Sequence, residues 1–232
     1  MARRPVVATT SADGGFTLVE ILVVIAIIAT LVGLVAAIIP AAMRRKQVMR
    51  AQTLVNGVGA ALEALALDGE QYGKYPPSRP RDLKIGKNFV GKELGQPNDL
   101  NSGIESVFFL LNNPLIHCNQ VTADEELIGN ADDDVFRNAR GNASDPQARE
   151  YLDPWGQPLA YFHSNDYKDP KGLTEILSVD GTRIEVHPKK LSARAGGGWL
   201  GPNSFQVFSV GPDGVQDPDE AEDGDDIVYS GR

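Results

Sequence analysis

The sequence predicts an α+β protein in which a long N-terminal helix packs on a small C-terminal antiparallel sheet. Three observations predict this class. Residues 21–39 form an apolar run long enough for the first half of the helix to span a membrane. An apolar stripe with helical spacing begins at residue 51, and short aromatic strands separated by turn residues occupy the last third of the chain.

The N-terminal span contains one anomalous side chain, Glu20. Residues 16–39 amount to 24 residues. As a helix they measure roughly 36 Å, which crosses a ~30 Å hydrocarbon core with some tilt. Thr17, Glu20 and Thr30 are the polar side chains of this span. A carboxylate inside a bilayer costs roughly 2.5 kcal/mol and usually marks function, so Glu20 is predicted to need a partner.

Three processing routes are open to such an N-terminus. An ordinary signal peptide has an apolar core of about 7–15 residues, which is shorter than this one. A signal anchor explains the length of the run but not Glu20. Cleavage between Gly15 and Phe16 would create a free amine on Phe16, and that amine would neutralise Glu20 of a neighbouring subunit.

Residues 1–15 form a short basic leader that ends in two glycines, and the sequence Phe-Thr-Leu-Val-Glu follows at residues 16–20. This arrangement, with the apolar helix behind it, resembles the type IV prepilin family. The resemblance implies that a leader peptidase cuts after Gly15 and often N-methylates Phe16. It also implies that Phe16 and Glu20 guide docking of the helix into a filament, and that the leader stays in the cytoplasm.

Composition narrows the class of protein. The formal net charge of −9 disfavours binding to nucleic acid. Cys118 is the single cysteine, so this chain forms no intramolecular disulfide. Many adhesive type IV pilins close a C-terminal loop with a disulfide, whereas the major pseudopilins of type II secretion use calcium instead. The cysteine content therefore favours a resemblance to the pseudopilins.

Residues 40–75 are predicted to continue the helix as an amphipathic extension beyond the membrane. Pro40 is expected to bend the helix near Ile39, because it removes one backbone hydrogen bond. Gly69 or Gly73 is predicted to end it. The apolar stripe that should pack against the sheet consists of Ala51, Leu54, Val55, Val58, Leu62 and Leu65.

Residues 76–232 are predicted to form one globular domain outside the membrane, with an insertion around residues 92–150 relative to ordinary major pseudopilins. Residues 104–111 predict a short buried helix. Residues 123–150 are rich in Asp, Asn, Gly and Arg, which predicts a surface loop or a partly disordered segment. The three aspartates at residues 132–134 are interpreted as a solvated acidic run rather than a cation site.

The last third of the chain predicts the sheet. Asp-Pro-Trp-Gly at residues 153–156 forms a turn before a strand at residues 159–162, and it resembles the first strand region of major pseudopilins. Residues 182–187 and 204–210 predict two further strands. The three strands are expected to form one small antiparallel sheet.

An acidic loop follows the last predicted strand. A Ser-x-Gly-x-Asp-Gly turn at residues 209–214 precedes a run dense in carboxylates, and oxygen ligands of this kind suit calcium. The segment is not an EF-hand, but it resembles the calcium loop of major pseudopilins. By that resemblance, the candidate calcium ligands are Ser209, Asp213, Asp223, Asp225 and Asp226. A solvated acidic tail is the alternative interpretation.

The resemblance as a whole implies a type IV pilin-like fold and a structural role as a major, G-type pseudopilin of a type II secretion system. The expected partners are further copies of the chain, minor pseudopilins, prepilin peptidase and the inner-membrane assembly platform. The expected location is the inner membrane, with a single span and the C-terminal domain in the periplasm, and then the assembled pseudopilus. The sequence shows no convincing nucleophile, general base or cofactor loop, so no enzyme activity is expected.

Other functions stay open at this point. One is a surface type IV pilus subunit used in adhesion or motility. Another is a single-span anchored domain that binds calcium and never polymerises, which would keep its leader and tolerate Glu20→Ala. The insertion is also compatible with a minor or specialised subunit.

Overall fold

The computed structural model describes residues 16–67, 74–85, 89–90, 98–113, 116, 121–136, 147–191, 196–217 and 224–231. The leader with Gly15, the expected helix-ending glycines and Asp223 lie outside these ranges. The chain divides into two units, Met1–Arg45 and Lys46–Arg232. The helices and strands of the described residues are α1 (Leu18–Leu67), β1 (Lys84–Ile85), β2 (Phe89–Val90), α2 (Ser102–Leu111), β3 (Ile128–Gly129), β4 (Glu150–Tyr151), β5 (Ala160–His163), β6 (Glu175–Leu177), β7 (Arg183–Glu185), β8 (Phe205–Ser209) and β9 (Ile227–Ser230).

The first unit holds the apolar part of α1. An 18-residue window of this helix has a mean hydropathy of 3.2, and none of it is buried within the chain. The helix is therefore long and apolar enough to cross a membrane, in agreement with the prediction for residues 16–39. It continues through Pro40 as α-helix. The bend expected near Ile39 stays a prediction.

In the second unit, α1 supplies one wall of the main core. All six residues of the predicted stripe are buried, which confirms the stripe. They share one cluster with Phe205 and Val207 of β8 and Ile227 of β9, so the stripe packs on the sheet as expected. Gly59 lies so close to the ring of Tyr229 of β9 that the helix has no room for a side chain at this position.

The central sheet has the order β5-β8-β9, with both pairs antiparallel. Tyr161 of β5 pairs with Val207 of β8, which pairs with Tyr229 of β9. All five residues of β8 are buried, because strands flank it on both edges and packed layers cover both faces. The strands predicted at residues 159–162 and 204–210 are confirmed as β5 and β8.

The third predicted strand, at residues 182–187, was assigned to the wrong sheet. Its central part is β7, which pairs with β6 in a separate hairpin. Ile176 and Ile184, one from each strand, are buried in a cluster with Phe162 and Phe208. The hairpin thus covers the second face of the central sheet instead of extending its edge, and β9 takes the place beside β8.

The middle of the chain is more ordered than the sequence indicates. The helix predicted at residues 104–111 is confirmed as α2, which begins two residues earlier at Ser102. Most described residues of the predicted surface loop at 123–150 are exposed or half-buried, as expected, but this segment also contains short ordered elements. There β3 pairs with β4, and Phe136 packs edge-on against Phe109 of α2 with ring centroids 5.3 Å apart. Burial of these apolar groups outweighs the polar composition of the segment.

Candidate functional site

The start of α1 carries the first predicted site. Glu20 Oε2 accepts hydrogen bonds from the Thr17 backbone N–H at 2.7 Å and from the Thr17 hydroxyl at 2.8 Å. The Glu20 N–H in turn donates to Thr17 Oγ1 at 3.2 Å. This reciprocal pattern is a capping box, which satisfies backbone donors that a helix start leaves unpaired. The Thr-x-x-Glu spacing was readable in the sequence as a cap, yet Glu20 was interpreted as a pairing group alone.

Phe16 lies immediately before the capping residue Thr17. Its side chain is 79% exposed, and the apolar side chains that follow it on α1 are exposed as well. The structure thus presents Phe16 and Glu20 within one turn of each other on an uncovered helix end. Gly15, the other residue of the predicted cleavage site, lies outside the described residues.

The second site begins at the Asp-Pro-Trp-Gly turn. Asp153 Oδ1 accepts from the N–H groups of Trp155 and Gln157, each at 3.0 Å. Asp153 Oδ2 accepts from the Ser209 hydroxyl at 2.7 Å. Burial raises the pKa of Asp153 to about 6, and these hydrogen bonds oppose the rise. The turn therefore connects β5 with the base of the acidic loop through one carboxylate.

Two of the predicted calcium ligands have other hydrogen bonds in this structure. The Ser209 hydroxyl donates to Asp153 and accepts from the Gly211 N–H at 3.1 Å. Asp213 Oδ1 accepts from the Val215 N–H at 2.9 Å, which closes a local turn at the surface. Ser209 thus lies at the base of the acidic loop, and Asp213 lies on its exposed side.

Three carboxylates come together further along the loop. Oxygens of Asp217, Asp225 and Asp226 all lie within 4.8 Å of one another. Asp225 and Asp226 were predicted as ligands, whereas Asp217 was not among the candidates. The Asp217 N–H donates to Asp226 Oδ2 at 3.0 Å, and the Asp226 N–H donates to Asp217 Oδ2 at 3.1 Å. These reciprocal bonds hold the two carboxylates at the start of β9.

Lys189 adds a positive charge that sequence reasoning missed. Its ammonium group forms an ion pair with Asp226, and the two side chains are only 7% and 4% exposed. It also donates to the Asp217 carbonyl at 3.2 Å. Burial nevertheless raises the pKa of Asp226, and burial with the charges of Asp213 and Asp217 raises the pKa of Asp225.

The donor set fits a divalent cation. Within this group, three carboxylates against the ammonium of Lys189 leave about two negative charges. Asp226 Oδ1 is buried and has no hydrogen-bond partner among the described residues, so one inward oxygen is available. A hard cation such as calcium takes carboxylate oxygens of this kind. Asp223 lies outside the described residues.

A comparison with protein families finds a match at the N-terminal segment. The family described as prokaryotic N-terminal methylation motif matches residues 10–36, which include Gly15, Phe16 and Glu20. Neither the curated proteins nor the solved structures gave a match. The chain thus carries an N-terminal methylation motif, which is typical of type IV pilin-like precursors that prepilin peptidase processes. Its long apolar helix and small antiparallel sheets are consistent with a pilin-like fold.

Proposed function

We propose that this chain is a major pseudopilin, a structural subunit of the type II secretion pseudopilus that polymerises to drive protein secretion. The observation that carries the proposal is the exposed start of α1, where Phe16 and Glu20 lie within the matched methylation motif and follow the expected cleavage position after Gly15. A surface pilus would use the same helix. The single cysteine and the three-carboxylate loop favour the pseudopilus. They are typical of major pseudopilins, which use calcium, rather than of adhesive pilins, which close a loop with a disulfide.

Processing would change the charge at this helix end. Cleavage after Gly15 places a positive amine on Phe16, close to Glu20 in sequence. Thr17 already caps Oε2 of Glu20, but its hydrogen bonds do not neutralise the carboxylate. Entry of a neighbouring subunit's amine supplies the missing charge, which is worth most where water is excluded. The apolar side chains behind it exchange lipid for neighbouring helices as the filament grows.

The partners and location follow from that route. Before assembly the subunit lies in the inner membrane with a single span and with its C-terminal domain in the periplasm. There it meets prepilin peptidase, the assembly platform, minor pseudopilins and further copies of itself. Its negative charge gives no basis for nucleic acid as a partner.

Calcium is part of the proposal. Asp217, Asp225 and Asp226 would hold the ion, with Asp223 and Asp213 as the remaining candidates and Ser209 at the base of the loop. Bound calcium would neutralise the carboxylates and join the loop to the start of β9. Because the ion binds the folded chain, it stabilises the domain by mass action.

Intact-mass measurement tests the processing step. The full chain is recovered from membranes with and without co-expressed prepilin peptidase. We expect a chain that begins at Phe16 and carries one added methyl group when the peptidase is present. A chain that still begins at Met1 or Ala2 would contradict the filament function and favour an anchored, non-polymerising domain.

Two substitutions at Glu20 separate its two roles. Glu20→Gln retains the cap, since Gln also closes a capping box, but it removes the charge. Glu20→Ala removes both. We expect both variants to be processed and to fail in filament assembly, measured by crosslinking between subunits and by secretion of a reporter. Normal assembly of Glu20→Gln would show that Glu20 acts only as a cap.

A further inference from the structure

A second group of acidic side chains lies on elements that the acidic loop does not use. Glu105 comes from the first turn of α2, Asp132 and Asp134 come from the turn after β3, and Glu150 belongs to β4. Carboxylate oxygens of Glu105, Asp132 and Asp134 all lie within 4.8 Å of one another. The sequence interpretation of the aspartates as a solvated run is therefore wrong for these two. Only Asp133 between them is exposed.

Glu105 is the unusual member of this group. Its side chain is 0% exposed, and neither of its carboxylate oxygens has a hydrogen-bond partner among the described residues. One further oxygen on each of Asp132, Asp134 and Glu150 is also buried without a partner there. Among the residues that the structure describes, five buried oxygens thus lack a donor, although buried polar groups in proteins are nearly always satisfied.

The remaining oxygens of the group are held in place. The Asn98 amide donates to Asp132 Oδ2 at 2.9 Å and to Asp134 Oδ2 at 3.0 Å. Glu150 Oε1 accepts from the Ala131 N–H and from the side-chain amide of Asn101. Each of these three carboxylates is therefore fixed through one oxygen and has its second oxygen left unbonded.

No basic residue balances these charges within the described part of the chain. None of the ion pairs there reaches Glu105, Asp132, Asp134 or Glu150. Burial and mutual repulsion raise the pKa of Asp134 to about 7 and that of Glu150 to about 8, and they raise the pKa of Glu105 well above its usual range. The group either retains protons or binds a cation.

We propose that Glu105, Asp132 and Asp134 bind one calcium ion, with Glu150 beside them as a fourth carboxylate. Calcium–oxygen distances of 2.3–2.6 Å place opposite ligands roughly 4.6–5.2 Å apart, and the 4.8 Å limit on the oxygen separations fits that sphere. The donors are all oxygens, which disfavours zinc. Magnesium retains most of its water and seldom uses a site built from protein carboxylates alone, so a buried Glu105 favours calcium.

A cation here would connect three parts of the chain that are distant in sequence. It would join the start of α2 to the turn after β3 and, through Glu150, to β4. The site would thereby stabilise the middle of the chain independently of the acidic loop and of pseudopilus assembly.

Calcium stoichiometry of the full chain in detergent tests this site. After removal of metals with EDTA, bound calcium is measured by equilibrium dialysis and elemental analysis for the wild type, Glu105→Gln and Asp133→Asn. We expect Glu105→Gln to bind one ion fewer per chain than the wild type. Asp133→Asn is the matched control, because its side chain is exposed beside the site, and we expect no loss. Asp225→Asn tests the acidic loop separately. We expect it to lose the ion of that loop and to retain the ion at Glu105.

Thermal unfolding gives a second readout, because calcium should reverse the sign of the difference in midpoint between the wild type and Glu105→Gln. In EDTA, Glu105→Gln should unfold at a higher temperature than the wild type, because Glu105 must take up a proton or bury its charge on folding, whereas Gln is already neutral. At calcium concentrations near one hundred times the dissociation constant, the wild-type midpoint should rise by roughly 5–10 °C, and the order should reverse. If Glu105→Gln does not fold, Asp134→Asn takes its place in both measurements.

Two outcomes would overturn the proposal. One is equal calcium binding by the wild type and Glu105→Gln. The other is a difference in midpoint that calcium leaves unchanged, which would show that Glu105 is buried as a neutral acid.

Discussion

Two glycines of α1 should respond in opposite ways to the same substitution. An added Cβ at Gly57 would lie 3.7 Å from Val121 Cγ1, which is an ordinary contact. At Gly59 it would lie 2.3 Å from Tyr229 Cδ1 and 2.5 Å from Tyr229 Cγ. Tyr229 has little room to move, because its ring stacks on Phe205 with centroids 6.0 Å apart. Gly57→Ala should therefore stabilise the protein, and Gly59→Ala should destabilise it.

The expected difference in stability between the two variants comes from packing, because their gains in helix propensity are equal and cancel. Both substitutions gain about 1 kcal/mol of helix propensity. At Gly59 the Cβ must also move about 1.2 Å away from Tyr229 to reach a normal carbon contact. Overpacking of this kind costs about 1–3 kcal/mol. The free energies of unfolding of the two variants should thus differ by about 1–3 kcal/mol, with Gly57→Ala the more stable.

Urea unfolding of the full chain in detergent, followed by tryptophan fluorescence, measures this difference. The double variant Gly59→Ala with Tyr229→Ala is the control, because removal of the ring should abolish the penalty of the first substitution. Equal stability of Gly57→Ala and Gly59→Ala, within about 0.5 kcal/mol, would refute the close contact between α1 and β9.

Three further predictions concern polar groups of the domain. Lys189→Met leaves Asp226 buried without its basic partner, and it should lower the free energy of unfolding in EDTA by about 3 kcal/mol or more. Urea unfolding should show that calcium restores part of this stability. No restoration by calcium would argue against an ion in the acidic loop. Ser209→Ala removes one donor to Asp153 and should cost about 1 kcal/mol, while dialysis should find the amount of bound calcium unchanged. Burial lowers the pKa of His163 below its usual 6.5, so the unfolded chain takes up the proton first as pH falls. The stability tied to His163 is therefore full above about pH 6.5 and declines below it, and His163→Gln should show a shallower loss of stability between pH 7 and pH 5.

Local patterns explain which elements the sequence predicts well. The stripe on α1 repeats with helical spacing, and the apolar run of α2 ends at Asn112-Asn113-Pro114 in the sequence. The structure buries most of both. The capping box at Thr17 and Glu20 was equally local. The hairpin of β6 and β7 also had a local signal in Asp180-Gly181, since the Asp180 carboxylate accepts from the Thr182 N–H and closes the turn.

Contacts between residues that are distant in the chain could not be predicted from the sequence. β9 has only four residues and follows an acidic run, so its sequence gives little indication of a strand. Its pairing is evident only from the structure, where it covers one edge of the buried strand β8. The Glu105 group is drawn from three segments, so spacing along the chain contains no trace of it. Lys189 pairs with Asp226 across 37 positions of sequence for the same reason. Each case depends on contacts that form only when the sheet and α2 are assembled.

The two proposed calcium sites would address a common physical problem. Each gathers carboxylates at a junction of elements, and in this chain a disulfide is not available to secure either junction. At ten times its dissociation constant an ion contributes about 1.4 kcal/mol of folding free energy, so two ions contribute about 3 kcal/mol. A domain of ordinary stability has about 5–15 kcal/mol in total. With the dissociation constants of roughly 0.1–1 mM typical of extracellular modules, about 1–10 mM calcium would then supply a substantial share of the stability.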